Sequence, residues 1–154
     1  METRGQAASQ VDASTAIKLA ESFAEAWNRH DVETLMAMFH RQGTLTTPAF
    51  AQPLSGMALQ GYPQAQLAAF PDIKAQAIGD KLIGMGTVSG RYLITGTWTE
   101  PMTVGPLAGI APSRKSFTLH SADFLDIKDQ KIAAWTQYYD RMSLLAQLGL
   151  LSPK

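Results

Sequence analysis

The sequence predicts an α+β domain in which helices pack on one face of an antiparallel sheet. Apolar residues in the first part of the 154-residue chain recur at helical spacing, whereas consecutive β-rich runs joined by short turns follow later. Hydrophobic residues make up 45% of the chain, which is enough for one core. No repeat or composition change marks a second domain. We therefore expect a single domain over residues 14–154, after a disordered polar tail at residues 1–13.

Three helices are predicted before the main strands. The first covers about residues 14–28, where apolar side chains fall on one helical face. Asp31 is expected to cap a second helix whose apolar positions extend to Phe39. A short strand is predicted at residues 43–50. Pro63 suits the first turn of a third helix, which Pro71 would end near residue 70.

Four strands are predicted after Pro71, at residues 73–83, 88–98, 116–127 and 131–139. Glycines at positions 84 and 86 indicate a turn between the first two. The Gly/Pro-rich residues 101–115 are predicted to form a loop, either a pocket rim or a hairpin excursion. Residues 128–130 are predicted to turn between the last two strands. Asp140 is expected to cap a final helix that Gly149 ends.

Composition argues against several classes of function. The formal net charge is +0 and the pI is about 6.8, so the basic stripe of a nucleic-acid binder is not expected. The chain has no cysteine, and its three histidines do not stand at metal-ligand spacing, so no metal site is predicted. No apolar run approaches the length of a membrane span, and the first ten residues lack a signal peptide's apolar stretch. The cytoplasm is the expected compartment.

Asp123 is the most informative residue of the predicted strands. Side chains alternate along a strand, so Asp123 shares a face with Ser121 and with four large apolar residues, Phe117, Leu119, Leu125 and Ile127. Burial there disfavours the ionised carboxylate and should raise its pKa. Such a group is a good general acid or base. The alternative is a structural, hydrogen-bonded aspartate.

The next strand is expected to bring Gln137 opposite Asp123. A turn centred near Gln130 pairs residue 123 with residue 137, and cross-strand Cβ atoms lie about 5 Å apart. Gln137 could then bind Asp123 or a substrate oxygen. Trp135 and Tyr139 share its face and are predicted to form the pocket wall, with the Tyr139 hydroxyl as a donor. For Trp135, plain core packing is the favoured interpretation.

The same register places His120 opposite Asp140 on the other face of the sheet. A carboxylate that orients an imidazole can be catalytic. The competing interpretation is that Asp140 caps the last helix. Hydroxyl groups of Ser121, Thr97 and Thr46 are further candidates for contacting a substrate.

Several short strings, in order, resemble the SnoaL-like branch of the nuclear transport factor 2-like superfamily over residues 14–152. The strings are Ala26-Trp27-Asn28 with His30-Asp31, Phe70-Pro71-Asp72, Thr95-Gly96-Thr97, Gly105, Gly109-Ile110, Pro112, Asp129-Gln130-Lys131-Ile132, Tyr138-Tyr139-Asp140, Leu144-Leu145 and Gln147-Leu148-Gly149-Leu150. The resemblance implies a cone-shaped, strongly curved sheet closed by the N-terminal helices around an apolar pocket. It also implies a small apolar organic substrate, no metal or organic cofactor, and a homodimer.

Members of this superfamily include polyketide cyclases, isomerases, dehydratases and epoxide hydrolases. By resemblance, the cyclases carry a histidine at the position of Asp123 and their acid/base aspartate at that of Gln137. The limonene epoxide hydrolases also have an aspartate at the Gln137 position, with an arginine and a second aspartate near Thr97 and Thr99. This chain has neither set. Three hypotheses follow: acid/base chemistry beside a carbonyl with Asp123, water activation by Asp123, or a binding protein without catalysis.

Overall fold

The computed structural model describes residues 12–151, so the predicted tail lies almost entirely outside the described residues. Its helices are α1 (Ala13–Asn28), α2 (Val32–Ala37), α3 (Gly56–Ala69) and α4 (Arg141–Gln147). Its strands are β1 (Phe39–Thr46), β2 (Leu54–Ser55), β3 (Lys74–Gly84), β4 (Thr87–Thr97), β5 (Ser116–Lys128) and β6 (Lys131–Tyr139).

The six strands form one sheet in the order β2-β1-β6-β5-β4-β3. The α+β class and the four long strands are confirmed. All neighbours are antiparallel except β1 and β6, which run parallel. This pair departs from the predicted antiparallel sheet because β1 and β6 are far apart in sequence, and the intervening elements supply the crossover that a parallel pair needs.

The second and third helices differ from their predicted bounds. Helix α2 ends at Ala37, and Phe39 begins β1, because the Met38 carbonyl accepts a hydrogen bond from the Ile132 N–H (2.8 Å). Helix α3 begins at Gly56, so Pro63 lies in its middle rather than in its first turn. A proline there removes a helical hydrogen bond at a cost of about 3 kcal/mol. Pro63 is fully buried, which offsets part of this cost.

The sheet is curved, and its concave face holds the core. The pairing shifts register within β3 between Ile78 and Leu82, and again between Asp126 and Ile127 of β5. Bulges of this kind bend a strand and increase its twist. The inner face of β5 is mostly buried and the outer face is mostly exposed. Helix α1 packs its buried side, including Phe23 and Trp27, over the concave face.

Helix α1 is joined to the edge strand β3 by a side-chain amide. Asn28 Nδ2 donates to the Ala75 carbonyl (2.9 Å), and Asn28 Oδ1 accepts from the Ala75 N–H (2.8 Å). Lys74 Nζ adds a hydrogen bond to the Asn28 carbonyl (2.8 Å). These contacts fix the end of α1 at the rim of the cone.

Candidate active site

The side chain of Asp123 is held by three donors on the concave face. Gln137 is its direct partner across the β5–β6 ladder, as the register predicted. Asp123 Oδ1 accepts from Ser121 Oγ (2.7 Å), and Oδ2 accepts from Trp135 Nε1 (2.8 Å) and Gln137 Nε2 (3.2 Å). Oδ2 therefore has two donors and Oδ1 has one, so Oδ1 keeps the greater capacity to accept a proton.

Trp135 does more than form a wall. Its indole N–H binds Asp123, and its ring has three aromatic neighbours. Phe23 meets it edge-on (ring centroids 4.9 Å apart), and Trp27 and Phe39 lie at 6.2 Å and 6.4 Å. A donor on so constrained a ring holds the carboxylate in one orientation.

Burial raises the pKa of the Asp123 carboxyl above its ordinary value of 3.8. The hydrogen bonds from Trp135, Ser121 and Gln137 act in the opposite direction, because they stabilise the carboxylate, but they do not cancel the effect of burial. The group is thus brought closer to the pH range in which a carboxyl can both take up and release a proton.

Tyr92 is a site residue that the sequence analysis missed. It lies on β4 and pairs with Ser121, and its ring extends across Gly90, which pairs with Asp123. A Cβ atom on Gly90 would stand 3.0 Å from the Tyr92 hydroxyl, so the glycine leaves room for that ring. Burial, and then the charge of Asp123, raise the pKa of Tyr92 to about 12, so its phenol stays protonated as a donor.

Two adjoining cavities occupy the interior of the cone. The first contains Asp123, Ser121, Trp135 and Tyr92 in its wall, and the second lies towards α3 and the 101–115 loop. Trp27, Ile94 and Gln137 belong to both walls. The cavity volumes are about 40 and 60 Å³, well below the roughly 150 Å³ that accommodates a benzene ring. A larger ligand therefore requires the shared wall to move.

The second cavity has polar side chains but no charged one in its wall. Tyr62, Gln66 and Tyr139 supply hydroxyl and amide groups among apolar residues. Burial raises the pKa of both tyrosines, so they too remain neutral. Tyr62 is held edge-on against Phe50 (4.8 Å), and Gly105 of the long loop packs on both rings. The predicted wall residue Tyr139 thus lies in this cavity, while Trp135 lies in the first.

The other predicted site residues lie outside both cavities. Thr97 is at the sheet end, where its backbone N–H and hydroxyl both donate to Asp72 (2.7 Å each). Thr46 is exposed, because alternation along β1 turns the neighbouring Leu45 and Thr47 inward instead.

His120 and Asp140 are not joined by a hydrogen bond or an ion pair in the described part of the chain. His120 is exposed on the convex face, in an open groove with Arg91 and Tyr138. Asp140 Oδ1 accepts from the Ser143 N–H (3.0 Å), which is the capping role that competed with catalysis in the sequence analysis.

Within residues 12–151, no three histidine, aspartate or glutamate side chains are grouped so that they could hold a metal ion. In the same residues, no helix combines the length and apolar character that crossing a membrane requires.

Sequence similarity over most of the chain shows its family. The profile of the SnoaL-like polyketide cyclases matches residues 17–148. The chain belongs to this family. No curated protein matches the chain significantly by sequence.

Solved structures share the fold of this SnoaL-like protein. TsrD from Streptomyces laurentii superposes with a TM-score of 0.74 at 21% identity, covering 92% of this chain and 100% of that one. AclR from Streptomyces galilaeus gives 0.76 at 20% identity, covering 92% and 89%. IdmH from Streptomyces antibioticus, a candidate polyketide cyclase, gives 0.68 at 23% identity, covering 87% and 98%.

Proposed function

We propose that this SnoaL-like protein is a small-molecule enzyme in which Asp123 acts as general acid and base on an apolar, carbonyl-containing substrate, without a metal or organic cofactor. The observation that carries the proposal is a carboxyl group in an apolar cavity, fixed by three donors and with its pKa raised by burial.

The reaction class is proton transfer next to a carbonyl. The Asp123 carboxylate would take a proton from the carbon beside the carbonyl, and the C–H electrons would form the enolate. Returning the proton to a different carbon gives isomerisation. Attack of the enolate on a second carbonyl instead forms a C–C bond and an alkoxide, and the alkoxide takes the proton back from Asp123 to complete aldol closure. Tyr92 and Gln137 lie in the same wall as donors for the developing oxygen charge.

A deuterium-exchange assay tests this step without knowledge of the natural substrate. The rate at which protons beside the carbonyl of 1-tetralone exchange in D₂O is followed by NMR. We expect Asp123→Asn to reduce the protein-dependent rate about 100-fold or more, in line with general base catalysis. Asp126→Asn, on the exposed face of the same strand, is the matched control and should leave the rate unchanged. Equal rates for Asp123→Asn and wild type would exclude Asp123 as the base.

Hydrolysis or hydration is the second candidate function. It is favoured by the polar groups beside Asp123, since Ser121, Gln137 and Tyr92 could help to hold a water that the carboxylate activates. A terpene epoxide in ¹⁸O-labelled water distinguishes hydrolysis from the carbonyl reaction. If the diol product carries the label, and Asp123→Asn no longer forms this product, hydrolysis would replace the carbonyl hypothesis.

A binding protein without catalysis is consistent with the small cavities and with the absence of the cyclases' aspartate at Gln137. Binding without any turnover would support it.

We also propose that the protein is a homodimer joined through the convex face of the sheet. Phe124 and Tyr138 are 37% and 58% exposed there, and their rings pack edge-on, 6.2 Å apart. Exposed aromatic pairs of this kind are typical of interfaces. Light scattering should give twice the chain mass for wild type and a lower mass for a Phe124→Glu variant. A monomeric wild type would contradict the proposal.

A further inference from the structure

Trp27 has a buried donor that nothing in the described part of the chain satisfies. Trp27 is only 8% exposed, and its buried Nε1 has no hydrogen-bond partner among the described residues. Leaving such a group unpaired costs about 1–3 kcal/mol. Unpaired buried donors in native proteins are uncommon and call for an explanation.

The position of Trp27 suggests what would satisfy it. Trp27 belongs to the walls of both cavities, together with Ile94 and Gln137. Its ring lies edge-on to the ring of Trp135, with the two centroids 6.2 Å apart. The N–H of Trp135 in turn donates to Asp123 Oδ2 (2.8 Å). Trp27 and the proposed base Asp123 therefore line the same cavity, with Trp135 in contact with both.

We propose that the Trp27 indole N–H binds the carbonyl oxygen of the substrate. This inference rests on the proposed function, which supplies the carbonyl. With its oxygen on Trp27, a ketone could direct the adjacent C–H towards Asp123. When the proton passes to Asp123, the charge that develops on the oxygen would be stabilised by the same N–H. Trp27 would then be a catalytic residue that touches the reacting atoms.

Two further tryptophans provide internal controls. Trp98 Nε1 is also buried without a partner, but Trp98 does not line either cavity. Trp135 Nε1 already has Asp123 as its acceptor. Since the chain has three tryptophans, an ¹⁵N-labelled sample should give three indole N–H signals. Each reports on one environment: a proposed ligand donor, an unpaired donor in the core, and a donor bound to the carboxyl.

The experiment compares 1-tetralone with tetralin, the hydrocarbon that lacks the oxygen. In wild type, tetralone should move the Trp27 indole proton downfield and leave Trp98 in place, whereas tetralin should produce no downfield shift. In Trp27→Phe, the ratio of tetralone to tetralin affinity should fall about threefold to tenfold, the effect of one hydrogen bond. Trp98→Phe should keep the wild-type ratio.

The proposal is overturned if tetralone does not bind wild type, if its Trp27 signal does not shift, or if Trp27→Phe keeps the ratio. The wild-type spectrum alone tests the proposal even if Trp27→Phe fails to fold.

The Asp123→Asn variant distinguishes a failure of this inference from a failure of the proposed function. If Asp123→Asn exchanges protons at the wild-type rate while the Trp27 effect persists, the base assignment fails alone. If the rate falls but Trp27 has no effect, the present inference fails alone.

Discussion

The two cavities of the cone share part of one wall but differ in charge. The first holds a carboxyl with three donors, whereas the second offers only neutral hydroxyl and amide groups. Both are buried and mostly apolar, so apolarity alone does not identify the reacting end. Under the proposed function, proton transfer would take place in the first cavity, and the second would recognise the remainder of the substrate.

Among variants that keep Asp123, the largest effect is expected from Trp135→Phe, which removes a donor from Asp123 while keeping an aromatic ring. Without this donor the carboxylate is no longer held in one orientation, so kcat should fall about tenfold to hundredfold. The Trp135 bond lowers the pKa of Asp123, so its loss should also move the acid limb of the pH–rate profile to higher pH.

Rate measurements on this variant from pH 4 to 8 would separate positioning from packing, with Trp98→Phe as control. A purely structural role for Trp135 would reduce the amount of folded protein without moving the acid limb.

A smaller effect is expected in the second cavity from Tyr139→Phe. If this cavity only recognises substrate, loss of the hydroxyl should raise KM about threefold and leave kcat and its pH profile unchanged. Tyr138→Phe, next along β6 but exposed, is the matched control. A large loss of kcat in Tyr139→Phe would show that the chemistry extends into both cavities.

The smallest measured difference should be the pH dependence of stability of wild type relative to Asp123→Asn. Because the folded-state pKa of Asp123 is raised, its stabilising contribution is complete below the unfolded pKa, near 3.8, and is lost as pH rises through the folded pKa. Urea unfolding should therefore show wild type losing stability relative to the variant as pH increases. A relative gain for wild type with rising pH would contradict the raised pKa.

The strand patterns predicted more than the helix patterns did. Period-two alternation with a turn centred near Gln130 predicted the pairing of Asp123 with Gln137. The two-residue turn that the structure has would by itself pair Asp123 with Thr136, and the bulge between Asp126 and Ile127 shifts the partner by one residue. The predicted start of α3 was wrong, because Pro63 was expected in the first turn and lies in the middle of the helix. Local propensity does not include the burial of the proline ring by the rest of the fold.

The rest of the candidate site depended on contacts between distant segments. The bond from Trp135 to Asp123 is a diagonal contact that depends on the direction of an indole ring, which spacing does not specify. Tyr92 could have been found, because Val88, Tyr92 and Ile94 alternate along β4 and face the same cavity. The sequence could not exclude Thr97 and Thr46 as substrate contacts. For Thr97 this requires knowing its hydrogen-bond partner, and for Thr46 it requires knowing which side of β1 is exposed.

The amide of Asn28 has a consequence for self-association. Strand β3 is the last of the sheet, and its outward N–H and carbonyl groups could recruit a strand from another molecule. Asn28 occupies both of these groups at Ala75. The helix that closes the cone thereby also blocks part of its open edge, so loosening α1 to admit a large ligand would expose a site for aggregation.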